Sequence, residues 1–233
     1  MKKPVETLVS KKVSLVLWSF LRMIMENKER ILEKATALFM QYGIRSITMD
    51  EIAAQLGISK KTIYQFFTDK DAMVEAVVNQ ETKRNEDDCR NYSSAADNAV
   101  HENFLAMDSL QEIMKAMNPQ IMYDLEKHHP VAYKRLKQFK YQYLYTIIKA
   151  NLERGLQEEI YRPNLNLDLV TRHRIESSFM PFNHEAFPSA KYPMNQTCRE
   201  LVILYLHSIT NEKGKKLIEK YLMERLKNTT HEQ

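Results

Sequence analysis

Past residue 25 the chain alternates apolar and polar positions with the period of a helix almost everywhere. Ile31, Ala35, Leu38, Phe39 and Tyr42 recur at i, i+4, i+7, i+8 and i+11, one face of a helix that Gly43 ends. Thr48 with Glu51 three residues on has the pattern of a capping box. It predicts a short helix with Ile52, Ala53 and Leu56 inward and Gly57 as its stop. Ser59 is placed to cap the next helix, which turns Ile63 and Phe67 inward. Thr68 and Asp71 are predicted to open a fourth, with Met73, Val74, Val77 and Val78 on its core face. The polar run "NQETKRNEDDCRNYSS" that follows reads as the solvated end of that helix and a linker. About six more helices are expected from Ala95 onward, by the same periodicity. Their breaks fall near Asn118-Pro119, at Pro130, from Gly155 to Pro163, from Pro181 to Pro193 and from Asn211 to Gly214.

Composition narrows the class. Only 4 glycines occur in 233 residues, too few for an all-β chain with many tight turns. The expected fold is all-α. The 2 cysteines, Cys89 and Cys198, lie far apart and match no metal spacing, which favours a reducing, cytoplasmic setting. No apolar run of about 18 residues is present, so no membrane-spanning helix is expected. The formal net charge is +4, and Lys2, Lys3, Lys11, Lys12 and Arg22 against Glu6 supply all of it. The rest of the chain is neutral, so an argument for nucleic-acid binding has to rest on local arrangement.

That arrangement exists in "GISKKTIYQFF", Gly57 to Phe67. Two short helices joined through Leu56-Gly57-Ile58-Ser59 have the dimensions of a helix-turn-helix. At 100° per residue, Ile63 and Phe67 share the inner face of the second helix. Lys61 and Gln65 lie opposite on one outward line, flanked by Thr62 and Tyr64. A major groove suits this set. Gln pairs bidentately with adenine, Lys donates to guanine O6 and N7, and hydroxyls bond phosphates. Lys60, in the first turn, is within reach of a base or the backbone. Lys70 opens the next helix, where free backbone N–H groups and its ammonium both favour a phosphate. The blander alternative is a solvated amphipathic helix with incidental lysines.

The stretch "GIRSITMDEIAAQLGISKKTIYQFFTDKDAMVEAVV", with "ENKERILEKATALFMQYG" before it, resembles the DNA-binding domain of TetR/AcrR-type transcriptional regulators. The motifs that carry the resemblance are "IA..LG.S", "T.Y..F", a Gly ending the first helix, a Thr opening the second and a Lys opening the fourth. It implies an all-helical homodimer that binds a palindromic operator in double-stranded DNA and usually represses. It also implies phosphate contacts at Thr48, Thr62, Tyr64 and Lys70, and groove-facing positions at Lys60, Lys61 and Gln65. Many members have Gly where Lys61 stands, a departure that bears on operator preference. Residues 26–80 are then the helix-turn-helix domain and 81–233 a helical regulatory and dimerisation domain, with 1–25 an N-terminal extension. A ligand-independent architectural DNA-binding protein is the rival reading.

"MKKPVETLVSKKVSLVLWSFLRMIM" precedes the first expected helix. A signal peptide is disfavoured, because Arg22 interrupts the apolar stretch and no small-residue cleavage site follows. An amphipathic arm and a translation start at Met25 or Met23 both remain open.

Catalytic signatures are missing: no G-x-S-x-G, no HExxH and no phosphate-binding glycine loop occurs. No enzyme activity, metal or cofactor is expected. His128 and His129 read as a surface pair, His173 as an interior or boundary residue, and His207 as buried or at an interface. "CRELVILYLHSIT", Cys198 to Thr210, is apolar around most of its circumference. With Leu217, Ile218, Tyr221, Leu222 and Leu226 of the next helix it is expected to form a four-helix bundle across a twofold axis. Phe104, Met107, Met114, Met117, Tyr141, Tyr145 and Phe179 recur on helix faces between the two ends. They are expected to line an apolar pocket for a small hydrophobic ligand, against the plainer reading of a Met-rich core.

Overall fold

A computed structural model describes residues 25–183 and 185–231. The extension at 1–24, with its open question about the start, lies outside them. Most of the described residues are helical, and the isolated bridge between Tyr161 and Thr210 is the one strand-like pairing among them. In chain order the helices are α1 (25–42), α2 (Met49–Leu56), α3 (Lys60–Phe66), α4 (Lys70–Ala95), α5 (Ala99–Ala116) and α6 (Ile121–His128). They continue with α7 (Pro130–Gln138), α8 (Leu144–Gln157), α9 (Leu167–Phe179), α10 (Met194–Ile209) and α11 (Glu212–His231). A π-helical turn, Phe139–Tyr143, joins α7 to α8, and a 3-10 turn, Met180–Phe182, follows α9.

Two cores form. In the first, Ile31, Ala35, Phe39, Ile52, Ile63, Phe67, Met73 and Val74 close around one another, with Ile121 and Leu125 of α6 and Ala132 of α7 added from outside the first four helices. In the second, α10 packs along α5 and against α9 and α11, burying Phe104, Met107, Val202, Leu206, Ile209 and Ile218.

Local signals set the short helices. Thr48 and Glu51 form the full capping box, and Gly57 ends α2 in the left-handed region at φ 65°. Ser59 caps α3 by accepting from the Thr62 N–H. Four expectations are corrected. Tyr42 is exposed rather than on the core face of α1. Asp69, not Thr68, caps α4, its carboxylate accepting from the Ala72 N–H at 2.7 Å. The polar run beyond Asn79 is no linker, because α4 continues without a break to Ala95, 26 residues in all. Arg84–Glu81 and Arg90–Asp87 pairs one turn apart run along it. Gly214 is not part of a break but sits in the first turn of α11. A Cβ there would lie 2.3 Å from the Ile160 carbonyl oxygen.

Candidate nucleic-acid interface and internal cavity

α3 is 7 residues long and is held from beneath by Ile63 at 0% and Phe67 at 4% exposure. Its outer side carries Lys60, Lys61, Tyr64 and Gln65, all exposed, with Thr62 half-buried beside them. The Thr62 and Ser59 hydroxyls lie 2.8 Å apart and share a hydrogen bond. Thr48 is exposed at the start of α2, its hydroxyl donating to the Glu51 carboxylate at 2.9 Å. Lys70 is half-buried, and its Nζ donates to the Arg45 carbonyl at 3.4 Å. Partial burial lowers its pKa, against the opposing pull of the Asp124, Glu51 and Asp71 carboxylates. Of the seven residues read from the sequence, Lys60, Lys61, Thr62, Tyr64 and Gln65 are on α3, Thr48 caps α2 and Lys70 opens α4; none of them is fully buried. One feature of this face is non-local and was missed. Asp50 of α2 reaches across to Lys60 at 2.8 Å, and this contact raises the lysine's pKa.

Between the two cores lies a cavity of about 340 Å³. Its wall takes in Thr36, Phe39, Met40 and Ile44 from α1 and the turn after it, Val74 to Tyr92 along α4, and Leu110, Met114 and Met117 from the α5 side. Ile121 and Leu125 of α6, Phe139, Leu144, Ile147 and Ile148 around the π turn, and Phe179 and Phe182 complete it. Of the seven pocket residues expected, Met114, Met117 and Phe179 line it. Phe104 and Met107 do not. They are packed into the second core, Phe104 between the Tyr221 ring and the Arg225 guanidinium. Tyr141 and Tyr145 also lie elsewhere, their hydroxyls donating to Glu176 and Asp168 on α9. Along the α7–α8 rod, which the π turn joins, the inward residues are Leu136, Phe139, Leu144, Ile147 and Ile148, and the two tyrosines lie off that line.

The wall also carries polar side chains, among them Glu102, Asn103, Asn151, Arg174, Ser178 and Tyr205, with Glu81, Thr82, Asn85 and Asp88 along α4. Glu102 is buried and bonded by Arg154 at 3.3 Å; burial still raises its pKa, outweighing Asn151 and Arg154. Cys89 also faces the cavity, and burial pushes its thiol up to about 11, so it is a thiol and not a thiolate at neutral pH. Nothing in the sequence singles out Arg174 beside its neighbour His173. His173 is in fact exposed, and Arg174 is the buried one. His129 is also buried, its Nδ1 2.6 Å from the Asp71 carboxylate, while His128 and His207 are exposed.

The first core is clasped by the chain around α6. The Asn118 N–H donates to the Met40 carbonyl, and the Arg45 N–H to the Asp124 carboxylate at 3.1 Å. On the far side, α10 and α11 expose Leu204 at 64% and Met223 at 62%, whereas Ile218 and Tyr221 are inside the second core. Among the described residues no helix is long and apolar enough to cross a membrane, and no cluster of three His, Cys, Asp or Glu side chains could hold a metal ion.

The sequence profile of bacterial regulatory proteins, tetR family, matches residues 31–77. The HTH-type transcriptional regulator YvaF of Bacillus subtilis (strain 168) is 30% identical over 185 residues, 78% of this chain and 95% of that protein. A TetR-family transcriptional regulator from Agrobacterium tumefaciens superposes with a TM-score of 0.68 at 13% identity, covering 81% of this chain and 100% of that one. FadR of Bacillus subtilis, solved with stearoyl-CoA, superposes with a TM-score of 0.60 at 14% identity, over 76% of this chain and 96% of that one.

Proposed function

We propose that this chain, which belongs to the TetR family of bacterial regulatory proteins, is a homodimeric repressor that a small hydrophobic ligand releases from a near-palindromic operator. The observation that carries the DNA-facing half is the outer line of α3. Lys61 and Gln65 stand exposed on a seven-residue helix whose opposite side is locked by Ile63 and Phe67. Gln65 pairs with an adenine and Lys61 donates to a guanine. Thr48, Thr62, Tyr64 and Lys70 hold phosphates on either side, and Lys60 joins them once it leaves Asp50. Residues 26–80 serve as the reading head, 81–233 as the regulatory and dimerising part, and 1–25 as an extension.

Dimerisation through α10 and α11 is supported by the large apolar side chains they turn to solvent. A twofold axis there sets two recognition helices roughly 34–36 Å apart, one helical turn of DNA. The cavity supports ligand control, because its wall includes side chains of both cores. A ligand that fills it changes how α4 and α6 sit against α1, and the contacts from Asn118 and Asp124 pass that change to the reading head. Release follows only if the ligand prefers a form with wrongly spaced recognition helices. Operator DNA must then weaken ligand binding by the same factor.

The test is a set of three variants read against a duplex carrying a selected site. Lys61→Ala and Gln65→Ala should each relax base preference at one position, at a cost of about 1–3 kcal/mol. Lys70→Ala should weaken all sequences alike and make the salt dependence shallower. Unchanged binding in all three variants would remove the groove-facing assignment.

A further inference from the structure

We infer that the cavity takes an elongated apolar molecule that ends in a carboxylate, with the carboxylate seated on Arg174. This rests on the ligand-controlled reading above and names the class of ligand. Arg174 of α9 is 8% exposed and faces the cavity. Its Nη1 donates to the Ser178 hydroxyl at 2.8 Å, and its guanidinium lies over the Tyr205 ring, 5.1 Å from the centroid. These two neighbours orient the group without neutralising it. Among the described residues no carboxylate comes within ion-pair distance of it. Arg154 shows the contrast: less buried, it is bound by Glu158 at 2.7 Å, by Glu102 at 3.3 Å and by two backbone carbonyls. Burial lowers the pKa of Arg174 from the ordinary arginine value. A guanidinium nonetheless stays protonated in a protein, and an unpaired buried charge is retained at a cost that an incoming anion relieves. A planar fork of donors also matches a carboxylate bidentately.

The rest of the cavity fixes the body of the ligand. Leu110, Met114 and Ile148, which belong with the second core, share the cavity wall with Phe179 and with Phe39 and Val74 of the first core. Met117 packs against both cores and bridges the two parts. A molecule anchored at Arg174 therefore lays its apolar end against α1 and α4, the helices that bear on the reading head. Three carboxylates also line the wall. Glu102 is held by Arg154 and Glu81 by Arg84 at 3.2 Å, while Asp88 has no ion pair among the described residues. A cationic ligand is thus the competing class, and the test includes it.

The full chain is titrated calorimetrically with dodecanoate, dodecanol and dodecyltrimethylammonium, each below its micelle concentration. Dodecanoate is expected to bind at least about tenfold more tightly than the other two, the scale of a charge-assisted hydrogen bond. Arg174→Gln should bring dodecanoate to within about threefold of dodecanol, with dodecanol itself unchanged, as the loss of that bond alone requires. Equal or tighter binding of the alcohol or the ammonium overturns the inference, as does no carboxylate binding or a preference that survives in the variant. Should Arg174→Gln not melt cooperatively, a crystal structure of the wild type with dodecanoate decides: its carboxylate belongs within hydrogen-bond distance of Arg174, and a head group elsewhere overturns the inference. Operator release is read separately. Dodecanoate that binds through Arg174 and leaves operator affinity unchanged upholds the ligand class and removes the inducer role. Operator release by an uncharged ligand, with no carboxylate preference, does the reverse.

Discussion

Asp50→Asn should turn this protein into a tighter and more salt-sensitive DNA binder. Asp50 holds the Lys60 ammonium at 2.8 Å, and the two side chains are 60% and 59% exposed. A pair that open to solvent contributes little to stability and is readily traded for another partner. On the proposed reading its carboxylate sits on the face assigned to the phosphates, where it would repel them, and it occupies a cation. Freeing Lys60 adds one neutralised phosphate per subunit, which steepens the slope of log K against log salt by about 0.9 for each subunit. For one half-site the gain over wild type should then shrink about three- to fourfold between roughly 50 and 200 mM salt. Fluorescence anisotropy with a labelled duplex, repeated across that range, reads both the affinity and the slope. Lys60→Ala in the Asp50→Asn background must cancel the added slope. Parallel salt dependences for wild type and Asp50→Asn, with equal affinities, would refute the reasoning, since Lys60 would then never reach the backbone.

Three further outcomes are expected. Gly155→Ala should destabilise the fold by about 2–4 kcal/mol. The new Cβ would lie 2.1 Å from the Tyr161 ring, whose hydroxyl is tied to Asn151 at 3.0 Å, and a loss under about 1 kcal/mol in urea unfolding would mean that the ring gives way. Leu204→Glu should yield monomers in sedimentation, and intact dimers would remove α10 from the interface. Leu222 is a poorer choice for this test because it packs against the second core. The Glu51 pKa is lowered by the Thr48 backbone N–H and then by its hydroxyl. A depressed folded pKa contributes stability above the unfolded carboxylate value, about 4.3, and loses it as the pH falls through the folded value. The stability gap between wild type and Thr48→Ala should therefore narrow as the pH drops below that value; a constant gap from neutral to acid pH contradicts this.

What could be read from the sequence was local. The Thr48–Glu51 box, the Gly57 stop and the Ser59 cap are each specified within a few residues, and so is the outward line of Lys61 and Gln65. What depends on distant partners was not legible. The far part of α4 is met by distant groups, the Tyr143 hydroxyl donating to the Glu86 carbonyl and the Arg154 guanidinium to the Ser93 carbonyl, along a stretch that reads as solvated. The cavity wall was only half foreseen, because which face of an apolar helix meets the second core and which meets the cavity depends on packing partners far along the chain, as for Phe104 and Met107 of α5. Arg174 carried no signal: nothing in "TRHRIESSF" tells that the second arginine is enclosed and the first is not. The Asp50–Lys60 contact joins two helices and has no pattern within either.

Selection of bound duplexes from a random pool by the full chain, with sequencing of the enriched set, tests the central claim most directly. The expected result is an inverted repeat whose half-site centres lie about 10–10.5 base pairs apart or at a multiple of that spacing. Lys61→Ala and Gln65→Ala should each blur one symmetric pair of positions within it. A pool that stays random, or a repeat whose every position is read unchanged by both variants, would contradict the assignment of α3 as the element that reads DNA.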